Sequence, residues 1–314
     1  MARAFVFPGQ GSQAVGMGMA LAAAYPAARA VAEEVDAALG EKLSALMAEG
    51  PLETLTLTEN AQPALMAASL MAVRALEAES GRRLAEMAAF VAGHSLGEYS
   101  ALAAAGSLSI GDAARLLRLR GRAMQGATPV GVGAMAALLG VEVEEARAIA
   151  AEAAAAGGVC DLANDNAAGQ VVVSGDRAAV ERAVAIAAGR GFRRSVMLQV
   201  SAPFHCALMA PAAEAMAAAL ADVALAAPAV PLVANVTAAP VTDPATIRGL
   251  LVRQVTGMVR WRESVLAMKA AGVDGLVELG AGKVLTGLAK RIDKEIAAVA
   301  VQTPEELAAF VATL

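Results

Sequence analysis

Gly93-His94-Ser95-Leu96-Gly97 is the stretch of sequence that decides the fold. The apolar run 88–92 precedes it, and the Ala/Leu-rich segment 98–103 follows it. A strand, Gly-x-Ser-x-Gly and a helix in this order are typical of a nucleophile elbow, where glycines permit a sharp turn. The turn would hold the Ser95 hydroxyl at a strand end, beside helix N–H groups that favour an anion. An ordinary tight turn is the alternative, but the flanking elements favour the elbow.

Apolar runs alternate with helical segments along most of the chain. The first run, 4–7, ends at Pro8-Gly9 and predicts a buried strand followed by a loop. Further strands are predicted at 232–235 and 275–279, and further helices at 207–221 and 261–271. Alternating strands and helices indicate an α/β domain with a mainly parallel sheet between two layers of helices.

A different pattern follows the break at residues 128–131. It predicts, in order, a strand at 134–140, a helix at 142–155, strands at 158–162 and 170–174 around a polar loop at 163–169, a helix at 178–189 and a strand at 193–200. This β-α-β-β-α-β order is that of a ferredoxin-like module. We therefore predict a small domain at residues 130–198, inserted into a large domain made of 1–129 and 199–314.

The composition excludes several classes of function. The chain has 314 residues, a formal net charge of −5 and only 3% aromatic residues, so neither a basic nor a stacking surface for nucleic acid is expected. The mean hydropathy of +0.57 comes largely from alanine. Prolines interrupt the uncharged stretches 4–28 and 223–242, so neither fits a signal peptide or a membrane helix. We expect a soluble, cytoplasmic protein that binds neither membrane nor nucleic acid.

Cysteine and histidine are scarce. The cysteines are Cys160 and Cys206, too few for a disulfide framework, and the histidines are His94 and His205. None of them has metal-ligand spacing, so we expect no metal site and no metal chemistry.

Ser95 needs a base to become a nucleophile. His94 is its neighbour in the turn and should point away from it, which leaves His205 as the candidate base; a packed loop histidine is the alternative. A triad would also need a carboxylate to orient the imidazole. No carboxylate between Ser95 and His205 stands out; the four candidates are Asp112, Asp161, Asp165 and Asp176. A backbone carbonyl could hold the second ring nitrogen instead, so a Ser-His dyad is predicted.

Two further features suit an acyl-transfer site. The Leu96 N–H follows the nucleophile and is the natural first donor to an oxyanion, and the glycine-rich loop 8–13 either supplies the second donor or is an ordinary turn. Arg120 falls on the apolar side of its predicted helix, 110–125, where an arginine is costly without an anion. Its planar fork suits a substrate carboxylate; an ion pair with a protein carboxylate is the alternative.

Together these motifs resemble the malonyl-CoA:acyl carrier protein transacylase family of type II fatty acid synthesis. The matching stretches span almost the whole chain in the right order; they are 7–13, 93–99, 120–121, 164–166, 202–206 and 280–285. The resemblance implies a hydrolase-like α/β domain that carries a small ferredoxin-like domain, with the active site in the cleft between them.

The resemblance also implies roles for particular residues. Ser95 would carry the malonyl ester and His205 would be the base, while Gln10 and Leu96 would supply the oxyanion N–H groups. Among substrate-binding residues, Arg120 would clamp the malonyl carboxylate. Gln254 matches the position whose backbone carbonyl orients the histidine.

Three further positions complete the set that the resemblance implies. Asn164 and Asn166 match a polar pair near the pocket. Phe204 resembles the malonyl-selecting form of related domains, because a bulky ring would crowd an α-methyl branch; a plain core phenylalanine is the alternative. No cofactor is implied.

The expected partners are malonyl-CoA and holo acyl carrier protein, and a monomer is expected. Acyl carrier protein is usually acidic, so the candidate docking cations are Arg115, Arg118, Arg122, Lys283, Lys290 and Arg291, of which the first three form an exposed helical stripe. The alternatives are a malonyl transferase of a polyketide or malonate decarboxylase system, a serine esterase or thioesterase, and a non-catalytic subunit that binds carrier protein. The hydrolase alternative leaves Arg120 without a purpose, and the intact Ser95, His205 and Arg120 argue against the non-catalytic one.

Overall fold

The computed structural model of the chain describes residues 2–314. Its strands are β1 (Arg3–Phe7), β2 (Phe90–Gly93), β3 (Gly133–Leu139), β4 (Cys160–Ala167), β5 (Gln170–Asp176), β6 (Val196–Met197), β7 (Leu232–Ala234), β8 (Ala239–Val241), β9 (Gly275–Leu279) and β10 (Ala297–Val301). Its helices are α1 (Met19–Ala24), α2 (Pro26–Leu39), α3 (Leu43–Glu49), α4 (Leu52–Thr56), α5 (Thr58–Ser80), α6 (Gly97–Ala104), α7 (Ile110–Gly126), α8 (Val143–Ala155), α9 (Arg177–Gly189), α10 (Ala210–Ala221), α11 (Pro244–Thr256), α12 (Trp261–Ala270), α13 (Val284–Ile292) and α14 (Pro304–Val311).

The larger sheet has six strands in the order β10-β9-β1-β2-β7-β8. All neighbours are parallel except the edge strand β8, which runs antiparallel to β7. Side chains of β1 alternate between two cores: Phe5 and Phe7 pack with α5 and α7, while Ala4 and Val6 pack with α12 and α13. The prediction of a mainly parallel sheet with helices on both faces is confirmed.

The smaller sheet has four strands in the order β4-β5-β3-β6, and every pair is antiparallel. Helices α8 and α9 cover one face, against residues such as Leu138 and Val173. The other face turns Met135 and Val172 towards the larger sheet. This is the ferredoxin-like β-α-β-β-α-β order that the sequence predicts.

Two predicted elements of the small module are wrong in extent. Residues 163–167, predicted to begin a polar loop, form the second half of β4. Tertiary contacts override their low strand propensity, because the Asp165 N–H donates to the Val259 carbonyl (2.9 Å) and the Asp165 carboxylate meets Arg262. The strand predicted over 193–200 shrinks to β6, since only Ala136 and Ala137 of β3 pair with it before the chain leaves the sheet.

Several elements were not predicted from the sequence: α3, α4, α11, α14, β8 and β10. A start signal for α11 is visible, because Pro244 opens the helix and the Asp243 side chain caps it by accepting from the Thr246 N–H (2.7 Å). In residues 2–314, no helix has both the length and the apolar content that a bilayer crossing needs.

Candidate active site

A cleft of about 300 Å³ separates the two sheets. Its wall combines the loop after β1, the turn after β2, α7, β4, the segment after β6 and α13. The carboxyl ends of the adjacent parallel strands β1 and β2 bring the first two loops together, as expected for ligand sites in α/β sheets.

The turn after β2 has the geometry of a nucleophile elbow. Ser95 has a φ of 53°, in the left-handed region that L-residues rarely adopt. A Cβ on Gly93 would lie 1.9 Å from the carbonyl carbon of Gly97, and a Cβ on Gly97 would lie 2.3 Å from the Phe7 carbonyl oxygen. Both positions therefore require glycine, because a side chain at either one would prevent the backbone from making this turn.

Asn235, which follows β7, secures this elbow. Its Oδ1 accepts the Ser95 N–H at 2.8 Å, and its Nδ2 donates to the Gly93 carbonyl at 2.7 Å. Sequence reasoning missed Asn235. The available signal was a polar residue at the carboxyl end of the strand that neighbours β2.

Ser95 Oγ and His205 Nε2 lie 2.8 Å apart. His205 Nδ1 lies 2.9 Å from the Gln254 carbonyl oxygen, which can only accept, so Nδ1 carries the proton and Nε2 is free to accept from Ser95. Burial, and then the nearby Arg120 cation, lower the pKa of His205 to about 3. The imidazole is thus neutral near pH 7, the form that a general base needs.

Arg120 reaches the same hydroxyl. The Arg120 side chain is buried, with 1% exposed. Its Nη2 donates to Ser95 Oγ at 3.1 Å and to Gln254 Oε1 at 2.8 Å. Its Nη1 donates to Gln62 Oε1 at 2.8 Å. Within the described part of the chain, none of these partners is a carboxylate. A buried guanidinium held by neutral acceptors is a ready site for an anion at Ser95.

Two backbone N–H groups face the cleft near Ser95. Gln10 and Leu96 both contribute to the cleft wall, and over residues 2–314 neither backbone N–H has a protein acceptor. The side chain of Gln10 donates to Thr58 Oγ1 at 3.3 Å, which helps to fix the loop after β1. The arrangement can therefore offer two donors to an oxyanion.

The remaining predicted residues lie around the cleft. Asn164 and Asn166 project from β4 into it, and the Oδ1 of Asn166 lies 2.8 Å from His94 Nε2. His94 also lines the cleft; its side chain bonds to Asn166 rather than to Ser95, and its ring packs near Trp261, with 5.8 Å between ring centroids. Phe204 lines the cleft beside His205.

Gln254 is fully buried behind Arg120 and is not part of the cleft wall. From the sequence, Gln254 is placed among the substrate-binding residues; the contacts of its side chain and carbonyl are with Arg120, Ser95, Glu98 and His205.

Glu98 lies within the stretch 93–99 that carries the resemblance, and no role is predicted for it from the sequence. It is 1% exposed on α6, and burial raises its pKa to about 7. The available signal was that Glu98 is the one charged residue of an Ala/Leu-rich helix.

The exposed stripe predicted on α7 is wrong at one position. Arg118 is buried and bonds to Asn60 and Glu41, because the helix turns this position towards α5 and the α2–α3 connection. Arg115 and Arg122 remain exposed. Across residues 2–314, no group of three or more His, Cys, Asp or Glu side chains is arranged to hold a metal ion.

Relatives of this chain match it over nearly its whole length. Residues 4–305 match the family model described as the acyl transferase domain. A malonyl CoA-acyl carrier protein transacylase from Escherichia coli (strain K12) is 48% identical over 306 residues, covering 98% of this chain and 97% of the relative.

Solved structures are similar over the whole chain. The acyl-carrier-protein-S-malonyltransferase from Bartonella henselae is 55% identical with a TM-score of 0.97, covering 100% of this chain and 99% of that one. A malonyl-transacylase solved in complex with a type II polyketide synthase acyl carrier protein is 41% identical with a TM-score of 0.95, covering 100% of both chains.

Proposed function

Because this chain belongs to the acyl transferase domain family, we propose that it transfers a malonyl group from malonyl-CoA to the phosphopantetheine thiol of acyl carrier protein in fatty acid synthesis. The observation that carries the proposal is the meeting of three groups at one oxygen. Ser95 Oγ lies within hydrogen-bond distance of both a neutral imidazole and a buried guanidinium that has no carboxylate partner in residues 2–314. A nucleophile, its base and an anchor for an acidic acyl group thus lie together.

The first half-reaction loads the enzyme. His205 Nε2 takes the Ser95 proton while Oγ attacks the thioester carbonyl carbon, and the oxyanion accepts from the Gln10 and Leu96 N–H groups. The carbon–sulfur bond then breaks, the sulfur takes the proton from His205, and CoA leaves as the thiol. Arg120 holds the free carboxylate of the malonyl ester on Ser95.

The second half-reaction runs the same path in reverse. The carrier thiol gives its proton to His205 and attacks the ester carbonyl, and the carbon–oxygen bond breaks as Ser95 Oγ recovers the proton. The catalytic pair is a Ser-His dyad, in which the Gln254 carbonyl takes the place of a triad acid. Ping-pong kinetics follow from this sequence.

The other expectations stand as parts of the same proposal. Residues 130–198 form the small domain and residues 1–129 with 199–314 the large one, consistent with an antiparallel sheet built from β3 to β6. The reaction takes place in the cytoplasm. Because one chain supplies every group in the mechanism, a monomer suffices. Asn164 and Asn166 contact the substrate, and Phe204 disfavours an α-methyl branch.

Intact mass spectrometry tests the proposal. The protein is mixed separately with malonyl-CoA, methylmalonyl-CoA and acetyl-CoA, and holo acyl carrier protein is then added. We expect a stable malonyl adduct that moves to the carrier protein, and no adduct on Ser95→Ala. Rapid release of free malonate without carrier protein would instead identify a hydrolase.

A second candidate is malonyl transfer to a polyketide carrier protein. It is favoured by the full-length likeness to the transacylase solved with a type II polyketide synthase carrier. Comparing kcat/KM for a fatty acid carrier and a polyketide carrier distinguishes the two, since the proposal requires a preference for the former.

A further inference from the structure

Glu98 lies in the first turn of α6, three residues after Ser95, and takes no part in the mechanism above. Its Oε2 accepts the Nε2–H of Gln254 at 2.8 Å and the backbone N–H of Asn235 at 3.1 Å. Both partners hold the catalytic groups, so this one carboxylate is linked to the site through two separate residues.

The Gln254 amide can satisfy its neighbours in only one orientation. Arg120 has only donors, so the amide oxygen must face its Nη2, 2.8 Å away. The Ser95 carbonyl and the Glu98 carboxylate are acceptors, so the amide nitrogen must face them, at 2.9 Å and 2.8 Å. Removing Glu98 takes away one of the three hydrogen bonds that fix this side chain.

The second link runs through Asn235. Glu98 accepts a hydrogen bond from the backbone N–H of Asn235. The side chain of Asn235 in turn bonds to the Ser95 N–H and to the Gly93 carbonyl. Glu98 therefore braces the elbow and the guanidinium together. A buried polar network of this kind fixes a geometry only while its members stay satisfied.

We propose that Glu98 is a positioning residue for malonyl selection: it fixes the Gln254 amide, which in turn aims Arg120 at the acyl group on Ser95. The inference rests on the proposed malonyl transfer. Glu98 touches no substrate; its effect on Arg120 passes through Gln254, and its effect on the elbow passes through Asn235. The charge of Glu98 is not what the role requires, since a neutral acceptor of the same reach can make the same two hydrogen bonds.

The test measures kcat and KM of purified Glu98→Ala with malonyl-CoA and with acetyl-CoA. We expect the ratio of kcat/KM for malonyl-CoA to that for acetyl-CoA to fall about tenfold, mainly through a higher KM for malonyl-CoA. A loss of folded protein alone would lower both kcat values and leave KM and the ratio unchanged. An unchanged or raised ratio therefore overturns the proposal.

The conservative variant Glu98→Gln tests whether an uncharged acceptor restores the ratio of kcat/KM values. Glu98→Gln keeps an acceptor at the same reach and should hold the ratio within about threefold of the parent. If Glu98→Ala does not fold, Glu98→Asp takes its place. Its carboxylate is one methylene too short to reach Gln254, so the same fall in ratio is expected, and an unchanged ratio again overturns the role.

Asp36→Ala is the matched control, because Asp36 is also a buried carboxylate but bonds to Ser44, away from the cleft. It should lower stability without moving the ratio. Adduct formation by the unmutated protein distinguishes failure of the proposed function from failure of the proposed role of Glu98. If the unmutated protein forms no malonyl adduct, the proposed function fails; if it does and Glu98→Ala keeps its ratio, only the role of Glu98 fails.

Discussion

Ser95 and His205 both adopt a backbone conformation that side chains with a Cβ rarely take, with φ values of 53° and 59°. Such positions persist only when the surrounding structure holds them. At Ser95 the Asn235 amide does so, and at His205 the Gln254 carbonyl fixes the ring. The Ser95 and His205 side chains are therefore aligned with each other in the absence of any ligand.

The first residue-scale prediction concerns Arg120. Arg120→Ala should lower the preference for malonyl-CoA over acetyl-CoA about fiftyfold, or ~2–3 kcal/mol, because a charge-assisted contact to the carboxylate is lost. Steady-state kinetics with both donors measures it. Arg122→Ala, two residues along α7 and exposed, is the matched control and should leave the preference unchanged. An Arg120 variant with an unchanged preference for malonyl-CoA would contradict the proposal that Arg120 binds the malonyl carboxylate.

The second concerns the pH dependence of acylation. The pKa of His205 is lowered to about 3 by burial, so the base stays neutral well below pH 6. We expect kcat/KM for malonyl-CoA to stay within about twofold between pH 8 and pH 5.5, whereas a histidine with its ordinary pKa of ~6.5 would lose about tenfold. Circular dichroism at each pH verifies folding. A midpoint near the ordinary value would contradict the assignment.

At the scale of elements, the site depends on where strands end and helices begin. The loops after β1 and β2 converge because these strands are parallel neighbours. Helix α11 then delivers the Gln254 carbonyl to His205, and α7 delivers Arg120 to Ser95. Residues from four distant segments meet here: Ser95 follows the end of β2, His205 lies in the segment after β6, Arg120 lies within α7 and Gln254 lies in the last turn of α11.

The elbow makes an element-scale prediction. Gly97→Ala would place a Cβ 2.3 Å from the Phe7 carbonyl oxygen, so β1 or α6 must shift. We expect a loss of about 3 kcal/mol in unfolding free energy, measured by urea denaturation. Gly249→Ala on α11 is the control; nothing lies within 4 Å of its new Cβ, and a gain of ~0.5–1 kcal/mol is expected from helix propensity. Equal effects at the two positions would refute the steric argument.

At the scale of the whole molecule, two sheets must hold a fixed separation for the cleft to exist. Strand β4 ties the smaller sheet to the segment before α12, because Asn164 forms a parallel bridge with Val259 in that segment. The ion pair between Asp165 and Arg262 reinforces this junction at 2.9 Å, with Asp165 almost fully buried. The junction includes the cleft-lining Asn164, and Asp165 lies between Asn164 and the cleft-lining Asn166.

Arg262→Ala tests this junction. It leaves the Asp165 carboxylate buried without its partner, so we expect a loss of about 2–3 kcal/mol in unfolding free energy, less than for a fully buried pair because Arg262 is partly exposed. Thermal or urea denaturation measures it. The double variant Asp165→Asn/Arg262→Ala should recover part of the loss, since no charge stays buried; no recovery would show that the ion pair is not the cause.

The amino-acid sequence by itself determined the alternation of strands and helices, the elbow and the inserted module, because these follow from local periodicity and from glycines that no other residue can replace. It also singled out Ser95, His205 and Arg120, since a serine between glycines, a scarce histidine and an arginine on an apolar face each stand out locally. The Gln254 carbonyl was expected beside the histidine through the resemblance alone. Only the tertiary structure decided that the Gln254 side chain, Asn235 and Glu98 hold these groups together, that residues 163–167 extend a strand, and that Arg118 is buried. Those outcomes depend on contacts between residues far apart in the chain, whose energies no local pattern contains.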